Sequence, residues 1–349
     1  MHVVVSGGAG FLGSHLCEAL IARGDAVTAV DNLSTGRLEN LEGVLAHPRF
    51  RFVEADVTEA VVSDVHVDAV AHLASAASPP DYHRMPLETL QVGSRGTENM
   101  LELADQHGAR FVLASTSEVY GDPHVHPQRE EYWGNVNPVG PRSVYDEAKR
   151  YAEAVTTAYG RTRGTRVGIV RIFNTYGPRM RAEDGRVVTS FITQALNGDA
   201  LTIYGDGSQT RSFCYVDDLV RGLVAMLDSH EGGPVNIGNP AERTVASLAE
   251  LVVALSGSSS EIELHPLPEN DPTRRRPDIE RASTLLGWTP RVDILRGLQR
   301  TIAWFESRPE EVRLAASVIA GSQPDHAATA VPAGPVSAAF DDRAARPAA

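Results

Sequence analysis

Residues 3–13, "VVVSGGAGFLG", constrain this chain more than any other stretch. Consecutive valines make a buried strand, and Gly7, Gly10 and Gly13 follow as a helical run opens from Phe11 to Arg23. A strand that passes straight into a helix meets its next strand by a crossover, so the pair is parallel. The rhythm then repeats. "AVTAVD", "RFVEAD", "VDAVAHLA", "RFVLAST" and "RVGIVRIF" alternate with helical stretches near residues 86–107 and 143–162. This spacing predicts an α/β fold, a Rossmann-like doubly wound parallel sheet over residues 1–173. After about Asn174 the elements shorten and Gly and Pro become more frequent, with a helix near 217–227 returning to a strand "PVNIG". A smaller C-terminal α/β lobe, binding substrate, is expected over residues 174–308. From 309 to 349 the chain is rich in Ala, Pro, Gly and Ser with almost no aromatics, the composition of a disordered tail.

The glycine pattern carries chemistry as well as shape. Its first glycine permits a tight turn, its second lets backbone amides approach a pyrophosphate, and its third lets helix pack on strand. A glycine turn alone can be purely structural. Here the second strand ends at Asp31, the interval expected for an acid that binds the ribose hydroxyls of a dinucleotide. Asp31 would repel a 2′-phosphate, which favours NAD over NADP, while Arg37 is the nearby residue able to receive one. Cofactor contacts are expected from Gly7, Gly10, Phe11, Leu12, Gly13, Asp31, Asn32, Arg37, Asp56, Val57 and Leu73. Asp56 reads equally well as an adenine contact or a strand-end cap.

Charge removes other classes. With 32 Lys plus Arg against 45 Asp plus Glu, the chain carries −13, which disfavours nucleic-acid and anionic-membrane surfaces. Only Cys17 and Cys214 are present, too few for a disulfide framework or a four-cysteine metal centre. No leader or spanning segment is expected from "MHVVVSGG", so the setting expected is cytoplasmic, with no metal.

A strand end, "STSEVYG", sets the hydroxyls of Ser115, Thr116 and Ser117 beside the single carboxylate of Glu118. Tyr145 and Lys149 form Tyr-x-x-x-Lys on the 143–162 helix, so they share one face. A phenol with a reference pKa near ~10 is a weak base at neutral pH. An adjacent ammonium and the positive nicotinamide favour its phenolate. Such a tyrosine takes a hydroxyl proton while hydride leaves the same carbon. In isolation the spacing is more often a surface pair; with the glycine turn and the strand end it reads as catalytic.

Together these features resemble the extended short-chain dehydrogenase/reductase family, specifically its nucleotide-sugar enzymes, over roughly residues 1–307. "ASTSEVYGDP", "WGNVNPVGPRSVYDEAKR", "RIFNTYGPRM", "DGRVV", "YGDGSQTRSFCYVDDLV" and "DPTRRRPDI" are similar to the branch that decarboxylates UDP-glucuronate. The resemblance implies NAD-dependent oxidation at C4, loss of CO₂ from the resulting β-keto acid, protonation at C5 and return of hydride to give UDP-xylose. Escape of the UDP-4-keto-pentose is a side exit. It also implies roles: Tyr145 as base for the C4 hydroxyl, Lys149 as its electrostatic partner, Thr116 bonded to the reacting hydroxyl, and Glu118 near C5 and the carboxylate. Related 4,6-dehydratases carry Asp where Ser117 stands, because they must protonate a departing C6 hydroxyl. A serine is too weak an acid for that, but it can donate a hydrogen bond to a substrate carboxylate.

The 4-epimerases generally lack the glutamate. A dehydratase or epimerase is therefore the alternative enzyme reading, and a silent NAD-binding protein the alternative from another class. Intact Thr116, Glu118, Tyr145 and Lys149 oppose the latter. Asn174 and Arg211 are implied at the UDP moiety, and Arg275 at the diphosphate and sugar acid, with Arg179 a further cation. Tyr204 is placed on the uracil, and Ser78, Pro79 and Tyr82 at the border of the sugar. A homodimer through helices near 90–107 and 143–160 is implied too. The chain departs from the pattern at Ser75-Ala76-Ala77-Ser78 (Cys-Pro-Ala-Ser in many relatives), at Gly93 (Asn) and at Ala148 (more often Gly).

Overall fold

The structure, a computed structural model, describes residues 1–266 and 274–321, with side chains to residue 315. Six strands follow in chain order: β1 (His2–Ser6), β2 (Ala26–Asp31), β3 (Phe50–Glu54), β4 (Ala69–His72), β5 (Arg110–Thr116) and β6 (Arg166–Ile172). With the strand Pro234–Ile237 they make one sheet in the order Pro234–Ile237, β6, β5, β4, β1, β2, β3. Every neighbouring pair is parallel. Helices cover both faces, which is why all seven residues of β5 are buried and the strands read as unbroken apolar runs.

One face packs on a cluster that includes Leu16 and Leu20 of helix α1 (Phe11–Arg23), Phe191 and Leu223. The other packs on Met100, Leu101, Leu103 and Ala152. Helix α1 stops because Gly24 takes the left-handed conformation (φ 103°), and its amide caps Ile21 and Leu20. Chain order reverses between β1 and β4. At such a switch point neighbouring loops splay apart beyond the strand ends and leave a crevice.

Three expectations need correcting. The helix expected near 86–107 is Pro86–Gln91 and Thr97–His107 joined by a π-turn, Val92–Gly96, rather than one regular run. The division at 173/174 is not a clean cut, because Pro234–Ile237 returns to pair with β6 and completes the first sheet. The tail expected from 309 begins instead as a helix, Pro309–Gly321, with Val312 and Ala315 buried. Asn197 ties it down by donating to the Val312 carbonyl at 2.9 Å. Full burial of a valine side chain is worth roughly 1.5–3 kcal/mol, enough to hold one turn that composition alone reads as loose. Residues 322–349 of the expected tail lie outside the described residues.

Smaller pieces assemble the C-terminal lobe. Leu201–Tyr204 pairs with Ile262–His265, and Thr210–Ser212 lies between Glu242–Thr244 and Arg274–Arg275. The last pairing matters for the site, since it carries Arg211 and Arg275 side by side toward the end of β5.

Candidate active site

A cleft of about 900 Å³ runs from the glycine turn, past the ends of β4 and β5, to the C-terminal lobe. Its geometry at the first end follows from β1 stopping at Ser6. Gly7 has φ 70°, and a Cβ there would stand 2.8 Å from the Ala74 amide nitrogen. A Cβ on Gly13 would meet the Gly7 carbonyl oxygen at 2.0 Å, so no other residue lets α1 start so close to the turn. Asp31, at the end of β2, accepts the amides of Ala9 (3.0 Å) and Leu33 (2.9 Å), and burial pushes its carboxyl above the usual range. Asp56 accepts from Thr58 and from the Asn32 side chain, 2.8 Å away, which closes the adjacent corner. Phe11, Leu12, Val57 and Leu73 line the same end. This cradle, with room only where glycines leave it and an acid beside it, fits a dinucleotide.

Arg37 is the exception. It does not line the cleft; its guanidinium is held by Glu183 at 2.8 Å and Glu311 at 3.0 Å. Sequence distance hid both partners, and the expected cofactor contact is corrected to a tie between the lobe and the C-terminal helix.

At the centre, the helix Ser143–Arg163 presents Tyr145 and Lys149 on one face against the end of β5. Both are buried. Lys149 Nζ donates to the Ala114 carbonyl at 2.9 Å and lies 5.9 Å from the Tyr145 ring centroid. Burial depresses its pKa to about 8, against a weaker opposing pull from Glu153. Within the protein itself the phenol of Tyr145 moves up, not down: burial dominates, and a side-chain hydrogen bond from Thr116 only partly offsets it. The sequence expects Lys149 and the positive nicotinamide together to favour the phenolate; of the protein's own groups, none outweighs the burial of the ring. Tyr82 stacks on Tyr145, rings 5.4 Å apart and 9° from parallel, which fixes the phenol's plane.

Glu118 sits in the short turn Ser117–Tyr120 that ends β5, its amide donating to Thr116 Oγ1 at 3.2 Å. Burial opposes its ionisation, but Arg275 and Arg142 overcome this and hold its pKa at about 2. Arg275 grips both carboxylate oxygens, one contact being Nη2–Oε2 at 2.9 Å, and Arg142 Nη2 reaches Oε2 at 2.9 Å. Arg275 lines the cleft, and its partner there is Glu118.

The substrate end gathers the other expected groups. Ser78, Pro79, Ser117, Asn174, Arg179, Tyr204 and Arg211 all line the cleft. The Asn174 carbonyl accepts from Cys214, locking the turn after β6. Arg179 adopts a left-handed backbone (φ 68°), uses one nitrogen on Glu18, and leaves Nη1 buried without a partner. Tyr204 stands half-exposed at the rim, edge-on to His265.

Sequence reasoning missed Arg142, Arg181 and Arg186, which also line the cleft. Arg181 pairs with Asp81 and Arg186 with Asp184. Arg142 had a usable signal, because it precedes Tyr145 by three residues and so opens the same helix face. The other two depend on a loop whose path the sequence does not reveal.

A family model, the NAD dependent epimerase/dehydratase family, matches residues 3–238. UDP-glucuronic acid decarboxylase 1 of Danio rerio is 52% identical over 308 residues, 88% of this chain and 73% of that protein. UDP-glucuronic acid decarboxylase 3 of Arabidopsis thaliana is 51% identical over 299 residues, 85% of this chain and 87% of that one. Among solved structures, the dTDP-glucose 4,6-dehydratase DesIV from Streptomyces venezuelae, with NAD and TYD bound, superposes with a TM-score of 0.81. It is 31% identical, and the match covers 89% of this chain and 98% of DesIV.

Proposed function

The chain belongs to the NAD dependent epimerase/dehydratase family, and from that membership we propose that it is an NAD-dependent decarboxylase converting UDP-glucuronate to UDP-xylose. The observation that carries the choice of reaction is the strand end: Glu118 is surrounded by two arginines, with Ser117 rather than a second acid beside it.

Gly7, Gly10, Gly13 and Asp31 would hold NAD, which would supply reversible hydride chemistry at C4. Tyr145 takes the proton of the C4 hydroxyl as that carbon becomes a ketone, with Thr116 bonded to both the phenol and the reacting oxygen. The C5–C6 bond then breaks, its electron pair passes into the C4 carbonyl as an enolate, and C6 leaves as CO₂. Glu118 lies where it can steer a proton or a water to C5. Tyr145 finally gives its proton back to the C4 oxygen. Lys149 holds a positive charge beside the phenol below about pH 8. Asn174, Arg179 and Arg211 take the UDP moiety and Tyr204 the uracil, while Ser78, Pro79 and Tyr82 border the sugar.

Pairing of two subunits through the helices near 90–107 and 143–160 is part of the proposal; Leu90 and Tyr151 are exposed on them and would be covered. So is a cytoplasmic setting. Incubation with UDP-glucuronate and NAD should release CO₂ and give a pentose by NMR. Turnover of a neutral hexose nucleotide without CO₂ from UDP-glucuronate would sink the assignment. Replacing Tyr145 by Phe should lower kcat by roughly 10²–10⁴, the usual range for lost proton transfer.

A further inference from the structure

Glu118 has in Arg275 all that a carboxylate needs from one guanidinium, since both its oxygens are engaged. Arg142 is a second cation on an oxygen already served. Its placement is tied to the reaction. The Arg142 carbonyl accepts the amides of Tyr145 and Asp146 at 3.2 Å, so it is anchored to the first turn of the catalytic helix. It also lines the cleft, and its side chain is 24% exposed against 5% for Arg275, so it is the more exposed of the two guanidiniums. Its charge is felt at Tyr82 and at His83, which border the sugar end.

The reacting ring has one constraint of its own. C6 is bonded to C5, and C5 to C4, so a sugar whose C4 hydroxyl meets Tyr145 and Thr116 carries its carboxylate only two bonds from C4. Along the protein, Glu118 is two residues past Thr116, and Arg142 three before Tyr145. The substrate carboxylate therefore arrives beside Glu118, at a guanidinium that is already holding a carboxylate.

We propose that Arg142 is the receptor for the C6 carboxylate of the sugar: on binding it passes from Glu118 to the substrate, while Arg275 retains Glu118. It thereby determines specificity for a uronate over a neutral hexose. The proposal rests on the UDP-glucuronate reading above. Exchange of one carboxylate for another on the same guanidinium leaves no buried charge unpaired, which is the expensive alternative. A hexose hydroxymethyl group offers only a neutral hydrogen bond and does not compensate for the lost ion pair. Once C6 departs as CO₂ the product has no anion there, Arg142 returns to Glu118, and the pentose is released more readily than the uronate.

The test is a binding cycle in NAD-loaded protein bearing Tyr145→Phe, which blocks turnover. Calorimetry with UDP-glucuronate, UDP-xylose and UDP is run with Arg142→Gln, Glu118→Gln and both. Arg142→Gln should raise the Kd for UDP-glucuronate roughly 10- to 100-fold, the range for a lost hydrogen-bonded charge contact, and move UDP-xylose and UDP less than about threefold. The penalty should persist in the Glu118→Gln background, and Arg142→Lys should recover part of it. Equal weakening of UDP-glucuronate and UDP-xylose would make Arg142 merely structural. Disappearance of the penalty with Glu118→Gln would mean that it only neutralises Glu118. UDP affinity reports folding in each variant. Release of CO₂ by the unmutated protein separates failure of this proposal from failure of the reaction assignment.

Discussion

Gly93 and Ala148 depart from the family pattern separately in sequence, yet they touch in the fold. A Cβ added to Gly93 would stand 2.6 Å from the Ala148 Cβ, 2.9 Å from its carbonyl oxygen and 3.0 Å from its carbonyl carbon. Carbon atoms prefer about 3.5–4.0 Å, so this is roughly an ångström of overlap. Overpacking of this kind costs about 1–3 kcal/mol, and Asn adds three further heavy atoms, so Gly93→Asn alone should lose about 3 kcal/mol. Ala148→Gly alone should lose about 1–2 kcal/mol, from helix propensity and a buried methyl. Combined, Asn with Gly should lose less than the sum of the two single losses, because Ala148→Gly removes the Cβ contact at 2.6 Å and leaves only the carbonyl contacts. The expected coupling is about 1–2 kcal/mol, within the range for residues in contact. Ala148 lies between Tyr145 and Lys149 on the same helix, so kcat should fall in Gly93→Asn and recover in the double variant. Urea unfolding of the four proteins, with CO₂ release measured in parallel, gives both numbers. Additive losses within about 0.5 kcal/mol, or a Gly93→Asn protein as stable as the parent, would refute the compensation.

Lys149→Met should abolish turnover yet stabilise the cofactor-free fold at pH 7. Burial lowers Lys149 from 10.5 to about 8, so the unfolded chain binds more protons between those values, and the penalty of about 3 kcal/mol is full below pH 8 and fades toward 10.5. The variant's advantage, trimmed by the Ala114 carbonyl left without its donor, must shrink between pH 7 and 9.5 in urea unfolding; a pH-independent difference would be wrong. Gly13→Ala should purify without bound NAD, as judged by the absorbance of the released nucleotide, because its methyl collides with the Gly7 carbonyl. Arg37→Ala should cost at most about 1 kcal/mol and leave the preference for NAD over NADP unchanged, since its partners are half-exposed Glu183 and Glu311. A change in that preference on calorimetric titration would return Arg37 to the cofactor.

What the sequence made legible is what short spacing determines. The strands of the first sheet declare themselves by β-branched runs ended by glycine or a polar turn. Tyr145 and Lys149 lie one helical turn apart, and Thr116, Ser117 and Glu118 are consecutive, so their grouping needs no knowledge of the fold. What stayed hidden are pairings across long stretches of chain. Arg275 and Glu118 are 157 positions apart, and Arg37 lies 146 from Glu183 and 274 from Glu311. No local preference marks an arginine as bound to one carboxylate rather than to a ligand. Composition likewise misread residues 309–321: an alanine-rich run is a good helix former, and Val312 with Ala315 suffices to dock it.

The dehydratase alternative keeps one foothold in the structure, and it fails on geometry. A general acid for a departing C6 hydroxyl needs a carboxyl that is still protonated near neutrality. Asp146 is such a group: burial and the negative charge of Glu118 raise it to about 7. Yet Asp146 is only 6% exposed, does not line the cleft, and has Oδ1 buried without a partner. Its proton is buried beside the site rather than offered to the sugar. Beside Glu118 it is Ser117 that lines the cleft where a second acid would stand. The buried carboxylates of Asp81 and Asp184 in the same cleft are paired with Arg181 and Arg186, and the groups that converge on Glu118 are Arg142 and Arg275. Two cations at a single carboxylate suit a substrate that brings another anion. They do nothing to protonate a leaving hydroxyl, so the electrostatics of the site select loss of CO₂ over loss of water.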